Sequence, residues 1–192
     1  MTSNQIKKAA VLHFARDGYE GATLANIAKD VGIKTPSIYA HFKGKDEIFL
    51  QICKDTSLYE LNNVTTYLDR YKNLPLDEFL YNFLLFYKEK YEKDQHTRFL
   101  LRVSFFPPSH LYKEIMDIVY RYLGKLEEFL IPVFMSSYNK GVMHPDVSVK
   151  QATSAFLVIL DGIIIEMLYG GPHKLQKRLD HSWNIYWRSI SI

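Results

Sequence analysis

A single cysteine, Cys53, excludes an intrachain disulfide and with it a secreted scaffold held by cross-links, so a reducing compartment is expected. No clean apolar run approaches the ~18 residues that a membrane span needs. The longest, Phe156 to Leu168, is interrupted by Asp161 and Glu166. No basic-then-apolar leader opens the sequence, and the expectation is a cytoplasmic protein with no membrane partner. Catalytic signatures are missing too. The seven histidines are scattered without His-x-x-x-His spacing, no Cys-x-x-Cys or Glu-x-x-His pair occurs, and neither a Gly-x-Ser-x-Gly elbow nor a phosphate loop is present. An enzyme is therefore not expected, nor a metal or cofactor. Charge of one sign is also scant, at a net +3 over 192 residues.

What is present is apolar and helical. Hydrophobic residues make up 47% of the chain and aromatic residues 15%, and a chain of this length buries roughly 70% of its unfolded surface without any staple. The small charge excess is unevenly placed. Residues 1–45 carry seven Lys and Arg against three acids, and the remainder is close to neutral. A polyanion, if one is bound, is met in the first quarter.

Periodicity predicts an all-α chain of about nine helices. The first spans about Ser3 to Asp17, with Ile6, Ala10 and Phe14 on one face and Gly18 as its stop. The second opens at Thr23, a good N-cap, buries Leu24, Ile27, Ala28 and Val31, and ends at Gly32. A short third helix has Thr35 as cap, Pro36 as first residue, and Ile38 and Phe42 as its inward pair. After the Lys43-Gly44 turn a fourth begins with Asp46 and Glu47 in its first turn. Beyond residue 50, aromatic-rich helices are separated by Pro75, Gln95, Pro107-Pro108, Gly141 to Pro145 and Gly170-Gly171-Pro172. Ser148 to Gln151 is a capping box, and the helix it opens is apolar almost all round through Tyr169. A last helix spans about Lys174 to Ser189.

Residues 23–45 have the grammar of a helix-turn-helix: a capped helix, a tight turn at Gly32-Ile33, and a second helix whose start exposes Lys34, Thr35, Ser37 and Tyr39. An ordinary helical hairpin fits charge and capping equally well. The pattern Ile6-x-x-Ala9-Ala10-x-x-x-Phe14-x-x-x-Gly18-Tyr19 continues as Thr23-x-x-x-Ile27-Ala28-x-x-Val31-Gly32-Ile33. It ends as Ser37-Ile38-Tyr39-x-His41-Phe42-x-x-Lys45-x-x-Ile48. Together these resemble the DNA-binding segment of the tetracycline-repressor (TetR) family of bacterial transcriptional regulators. The likeness spans the first ~50 residues. Pro36 departs from it, since a small residue, often glycine, is common there.

The resemblance implies a helix-turn-helix DNA-binding domain over residues 1–46 and a larger helical ligand-binding and dimerisation domain over 47–192. It implies a repressor that binds a palindromic operator in double-stranded DNA as a homodimer and is released by a small apolar or aromatic effector. Thr23, Tyr39, His41 and Lys45 are then phosphate contacts, and Lys34, Thr35, Pro36 and Ser37 read bases. An effector pocket is expected among Phe83, Phe86, Tyr87, Phe99, Arg102, Phe105, Phe106 and Tyr120, although an aromatic stripe at helical spacing is usually core. The last two helices are expected to pair with their twofold mates through Phe156, Ile159, Ile163 and Met167 on one, and Leu179, Trp183 and Tyr186 on the other. Asp161 is expected to be a hydrogen-bonded structural residue, and Cys53 an inert small hydrophobe. The rival readings are a helical adaptor that never touches DNA and a bundle enzyme.

Overall fold

The computed structural model describes residues 2–169 and 172–192, the side chains of 172–174 excepted. Among the described residues there are eight α-helices, two 3-10 helices and no strand. The helices are α1 (Ser3–Gly21), α2 (Leu24–Val31), α3 (Lys45–Tyr71), α4 (Leu76–Lys93), α5 (Gln95–Phe105), α6 (Tyr112–Asn139), α7 (Val149–Tyr169) and α8 (Pro172–Ile190). The 3-10 helices are Thr35–Ala40, after α2, and Ser109–Leu111, after α5. The expected break at Gly170-Gly171 lies outside the described residues.

Two compact units divide the chain. One comprises residues 1–60 and 93–122, the other 61–92 and 123–192, a division drawn differently from one at residue 46. In the first unit, α1 runs past the expected end at Asp17 but breaks its helical geometry at Gly18, where φ is 72°. Only glycine adopts that conformation without cost. The Arg102 guanidinium of α5 packs 3.3 Å from where a Cβ at Gly18 would stand, and it donates to the Arg16 carbonyl at 3.3 Å. Phe49 of α3 meets Phe14 at 4.8 Å, Tyr19 at 5.1 Å and Phe99 at 5.3 Å between ring centroids. This aromatic cluster ties α1, α3 and α5 into one core, in which Cys53 is also sealed.

The second unit packs Tyr67 of α3 against Phe79 and Phe83 of α4 and joins Phe83 to Phe156 of α7. Its buried hydroxyls are satisfied: Tyr67 donates to the Phe79 carbonyl and Tyr186 to the Ala152 carbonyl, at 2.9 and 2.8 Å. The Ser148 capping box forms as expected, with Gln151 N–H donating to Ser148 Oγ at 3.2 Å and Ser148 N–H donating to Gln151 Oε1 at 3.0 Å. By length and composition α7 would reach across a membrane despite Asp161 and Glu166, so the sequence expectation that it falls short is revised. In the fold it is a packed helix, with Ala152, Thr153, Phe156, Leu160, Ile163 and Ile164 buried.

Burial also corrects the expected dimer face. Phe156, Ile163, Leu179 and Tyr186 are at most 5% exposed and fill the core of their own unit, so they offer no surface to a second copy. Ile159, Met167 and Trp183 are half-buried. The side chains left outside on these helices are Val158 at 68% exposure, Tyr169 at 71% and Ile185 at 73%, with Ala155 and Gly162 beside Val158. Asp161 makes no hydrogen bond or ion pair among the described residues, contrary to expectation, and burial alone pushes its carboxyl above the usual range.

Candidate nucleic-acid interface

Thr23 Oγ1 accepts from the Asn26 N–H at 3.2 Å and starts α2. At the other end Gly32, with φ 76° and ψ 30°, takes the left-handed conformation that reverses the chain, and Ile33 N–H donates to the Ala28 carbonyl at 2.9 Å. The following element is a 3-10 helix rather than an α-helix, capped by Lys34, so that Thr35 is already inside it and Pro36 occupies its first turn. Proline lacks an N–H, and at the first turn none is needed. The tighter winding leaves the inward pair intact, because Ile38 is fully buried and Phe42 2% exposed. Those two apolar anchors are each worth about 2 kcal/mol of burial, and the 3-10 helix packs on α2.

Outside that seam the exposed side chains are polar or basic, apart from Pro36 and Ala40. Lys34, Pro36, Ser37, Tyr39 and His41 are exposed, Tyr39 by 57%, and Thr35 is half-buried. Thr23 is exposed as well. Its oxygen is used as a cap acceptor, which leaves its hydroxyl hydrogen available to a phosphate. Six of the eight expected DNA residues thus lie within residues 34–41, and Thr23 stands at the start of the preceding helix.

Lys45 is the exception. Its ammonium is half-buried and donates to the carbonyls of Tyr19 (2.9 Å) and Ala22 (3.3 Å), over the Tyr19 ring at 4.1 Å. Two of its three hydrogens therefore tie the start of α3 to the end of α1, which revises the picture of a free cation at a helix terminus. The exposed cation in that turn is Lys43, which the expected set omits. Its backbone N–H donates to the Glu47 carboxylate at 2.6 Å, fixing the turn while the side chain projects. The clue in the sequence was its place among the seven basic residues of the first quarter. Close by, the Tyr19 hydroxyl donates to Asp46, and His110 Nε2 lies 3.5 Å from the same carboxylate. The Tyr19 hydrogen bond, followed by His110, holds Asp46 below the usual carboxylate range.

The expected effector residues divide between the two units. Phe83 and Tyr87 are core residues of the second unit and Phe86 packs half-buried on Tyr67 there, with ring centroids 5.0 Å apart. Phe99, Arg102, Phe105, Phe106 and Tyr120 belong to the first unit. Of these, Phe99, Arg102 and Phe106 line a cavity of ≈ 20 Å³ with Phe14, Tyr19 and Phe49, room for about one water. Phe105 is half-buried and Tyr120 is 66% exposed. Aromatic character marked core residues here without separating the two cores.

Residues 6–52 match the family model for bacterial regulatory proteins of the tetR family. The match covers the N-terminal quarter of the chain, the segment that holds the helix-turn-helix. Among curated relatives, the chain is 33% identical over 115 residues to the biofilm operon icaADBC HTH-type negative transcriptional regulator IcaR of Staphylococcus aureus strain Newman. That alignment covers 57% of this chain and 59% of the relative, so the chain spans under two thirds of the length of the curated relatives it matches. Solved structures share the fold over nearly the whole length. A regulator from Saccharomonospora viridis in complex with choline superposes with a TM-score of 0.75 at 15% identity, covering 98% of this chain and 97% of that one. FadR from Bacillus subtilis in complex with stearoyl-CoA gives 0.69 at 18% identity, covering 98% and 100%.

Proposed function

We propose that this chain is a cytoplasmic transcriptional repressor of the TetR family that binds a palindromic operator as a homodimer and is released by a small apolar or aromatic effector. The observation that carries the DNA-binding half is the exposed set Lys34, Ser37, Tyr39 and His41 on a segment whose only apolar anchors, Ile38 and Phe42, are buried. Lys34, Thr35, Pro36 and Ser37 face bases, while Thr23, Tyr39, His41 and Lys43 hold phosphates and set the register. Lys45 acts mainly by fixing where α3 starts. Repression is supported by the name of IcaR as a negative regulator. Effector control is supported by the complexes of the two fold neighbours with small molecules. Residues 1–46 carry the DNA contacts and 47–192 the effector and dimer functions, with no catalysis.

The dimer face is the outward side of α7 and α8 around Val158 and Ile185, in place of the buried residues. Two recognition segments then meet major-groove faces roughly 34 Å apart or a multiple of it. The test is a gel shift with the fragment upstream of the chain's own gene at low and high salt. A retarded band that weakens steeply with salt is expected. No band at low salt overturns the DNA-binding reading and leaves a helical adaptor.

A further inference from the structure

The outward faces of α7 and α8 differ in charge in a way that two copies would complement. On α7, Val158 is followed at i+3 by Asp161, a half-buried carboxylate with no hydrogen bond or ion pair among the described residues, and at i+4 by Gly162. On α8, Ile185 is preceded at i−4 by His181, exposed and likewise without a hydrogen bond or ion pair among the described residues. Of the charged and titratable groups around them, Lys177 stands exposed one turn before His181 and is the competing cation, while the others are engaged or distant. Asp180 accepts from the Tyr81 hydroxyl at 2.7 Å and from Gln176 at 2.9 Å. Arg178 pairs with Glu166, Glu127 of α6 faces Ser154 at 3.4 Å, and the Tyr186 hydroxyl bonds the Ala152 carbonyl. Lys150 opens α7, while Arg188 stands exposed toward the C-terminal end of α8.

We infer that Asp161 of one copy accepts a hydrogen bond from protonated His181 of the second copy, so that dimer strength depends on pH. This rests on the homodimer proposed above. In a twofold interface the contact occurs twice, since whatever α7 offers α8 of the mate must receive. Glu166–Arg178 and Ala152–Tyr186 run α7 and α8 antiparallel within the chain. Two such hairpins closing on each other about a twofold axis cross near their middles, where Val158, Asp161, His181 and Ile185 lie. Arg188, near the C-terminal end of α8, is left at the rim. A carboxylate taken further from water by the mate needs a cation or a proton, and histidine supplies a cation at mildly acidic pH.

The sign follows from linkage. A histidine that gains a carboxylate partner binds it as the cation, so the pair is weakened as pH rises. Asp161, already raised by burial, gains a cation in the dimer and loses its contribution as pH falls through its own dimer value. The dimer is tightest between those two limits. The experiment is sedimentation equilibrium of the full chain from about pH 5.5 to 8.5, on wild type, Asp161→Asn, His181→Gln and the double variant, with helicity checked by circular dichroism. The wild-type dissociation constant should rise by roughly tenfold across the upper half of that range. Each single variant should flatten the profile, and the double should be no weaker than the weaker single. A pH-independent wild-type dimer, additive single effects, or equal weakening by Arg188→Gln would overturn the pair while leaving the homodimer standing. A wild type that stays monomeric at every pH overturns both.

Discussion

The helix-turn-helix segment and the α7–α8 pair are both made of short apolar stripes, yet they leave opposite surfaces. In the first, Ile27, Ala28, Ile38 and Phe42 are all buried and what remains outside is Lys34, Ser37, Tyr39 and His41. In the second, a full set of apolar residues is buried and Val158, Tyr169 and Ile185 still stand exposed by 68% or more. A polar, basic surface is stable in water and suited to a polyanion. An apolar one is incomplete until another surface covers it. The contrast distinguishes two kinds of surface: one suited to a polyanion and one that an apolar surface would complete.

The sharpest way to break that comparison is to place the same charge on either side of α7. Ile163→Asp buries an unpaired carboxylate in the core of the second unit and should cost of the order of 4 kcal/mol or more, leaving the chain largely unfolded by thermal denaturation. Val158→Asp places it on the exposed face, where the stability of the single chain should change by no more than about 0.5 kcal/mol. The dimer should nevertheless be lost in sedimentation. If Val158→Asp remained dimeric, this face would not be the interface.

Next in size is the anchor of the recognition segment. Ile38→Ala removes a fully buried side chain and should cost about 2–4 kcal/mol in chemical denaturation, with operator binding weakened as well because Phe42 alone would be left to anchor the segment. Unchanged operator affinity in a destabilised Ile38→Ala protein would mean that the segment is held by some other contact.

These effects also mark what was legible in the sequence. The inward Ile38–Phe42 pair and the caps at Thr23 and Ser148 were readable because they are local, and the pair survives whether the backbone winds as an α or a 3-10 helix. The direction of α7 was not. A helix apolar almost all round carries no periodicity to say which side faces its own core, so Phe156 and Ile163 were indistinguishable from Val158. Lys45 was misread for a related reason, since the carbonyls it binds belong to Tyr19 and Ala22, more than 20 residues away in sequence. The aromatic set divided between two cores because ring chemistry does not encode which neighbours a ring will find.

A smaller effect separates Lys43 from Lys45. Lys43→Ala should weaken binding to all sequences alike and lower the salt slope by about one unit per subunit, as loss of one phosphate contact requires. Lys45→Ala should leave the slope nearer wild type and instead lower thermal stability, because two carbonyls lose their donor. Equal slope changes in both variants would return Lys45 to the phosphate set.

The smallest expected effect is none at all, at Cys53. This thiol sits 1% exposed in the core of the first unit, and burial pushes its pKa up to about 12. At pH 8 only about one molecule in ten thousand would then carry the reactive thiolate, and that one is out of reach of reagent. A disulfide reagent should therefore fail to label the folded chain over hours and label it at once in denaturant. Operator binding should be unchanged by mild oxidant. The labelling rate of folded protein then measures opening of the first unit, and Ile38→Ala should raise it while Val158→Asp should not. Rapid labelling of the wild type would show that the core behind the DNA-facing surface is open, and the contrast between a finished and an unfinished region would fail on its own side.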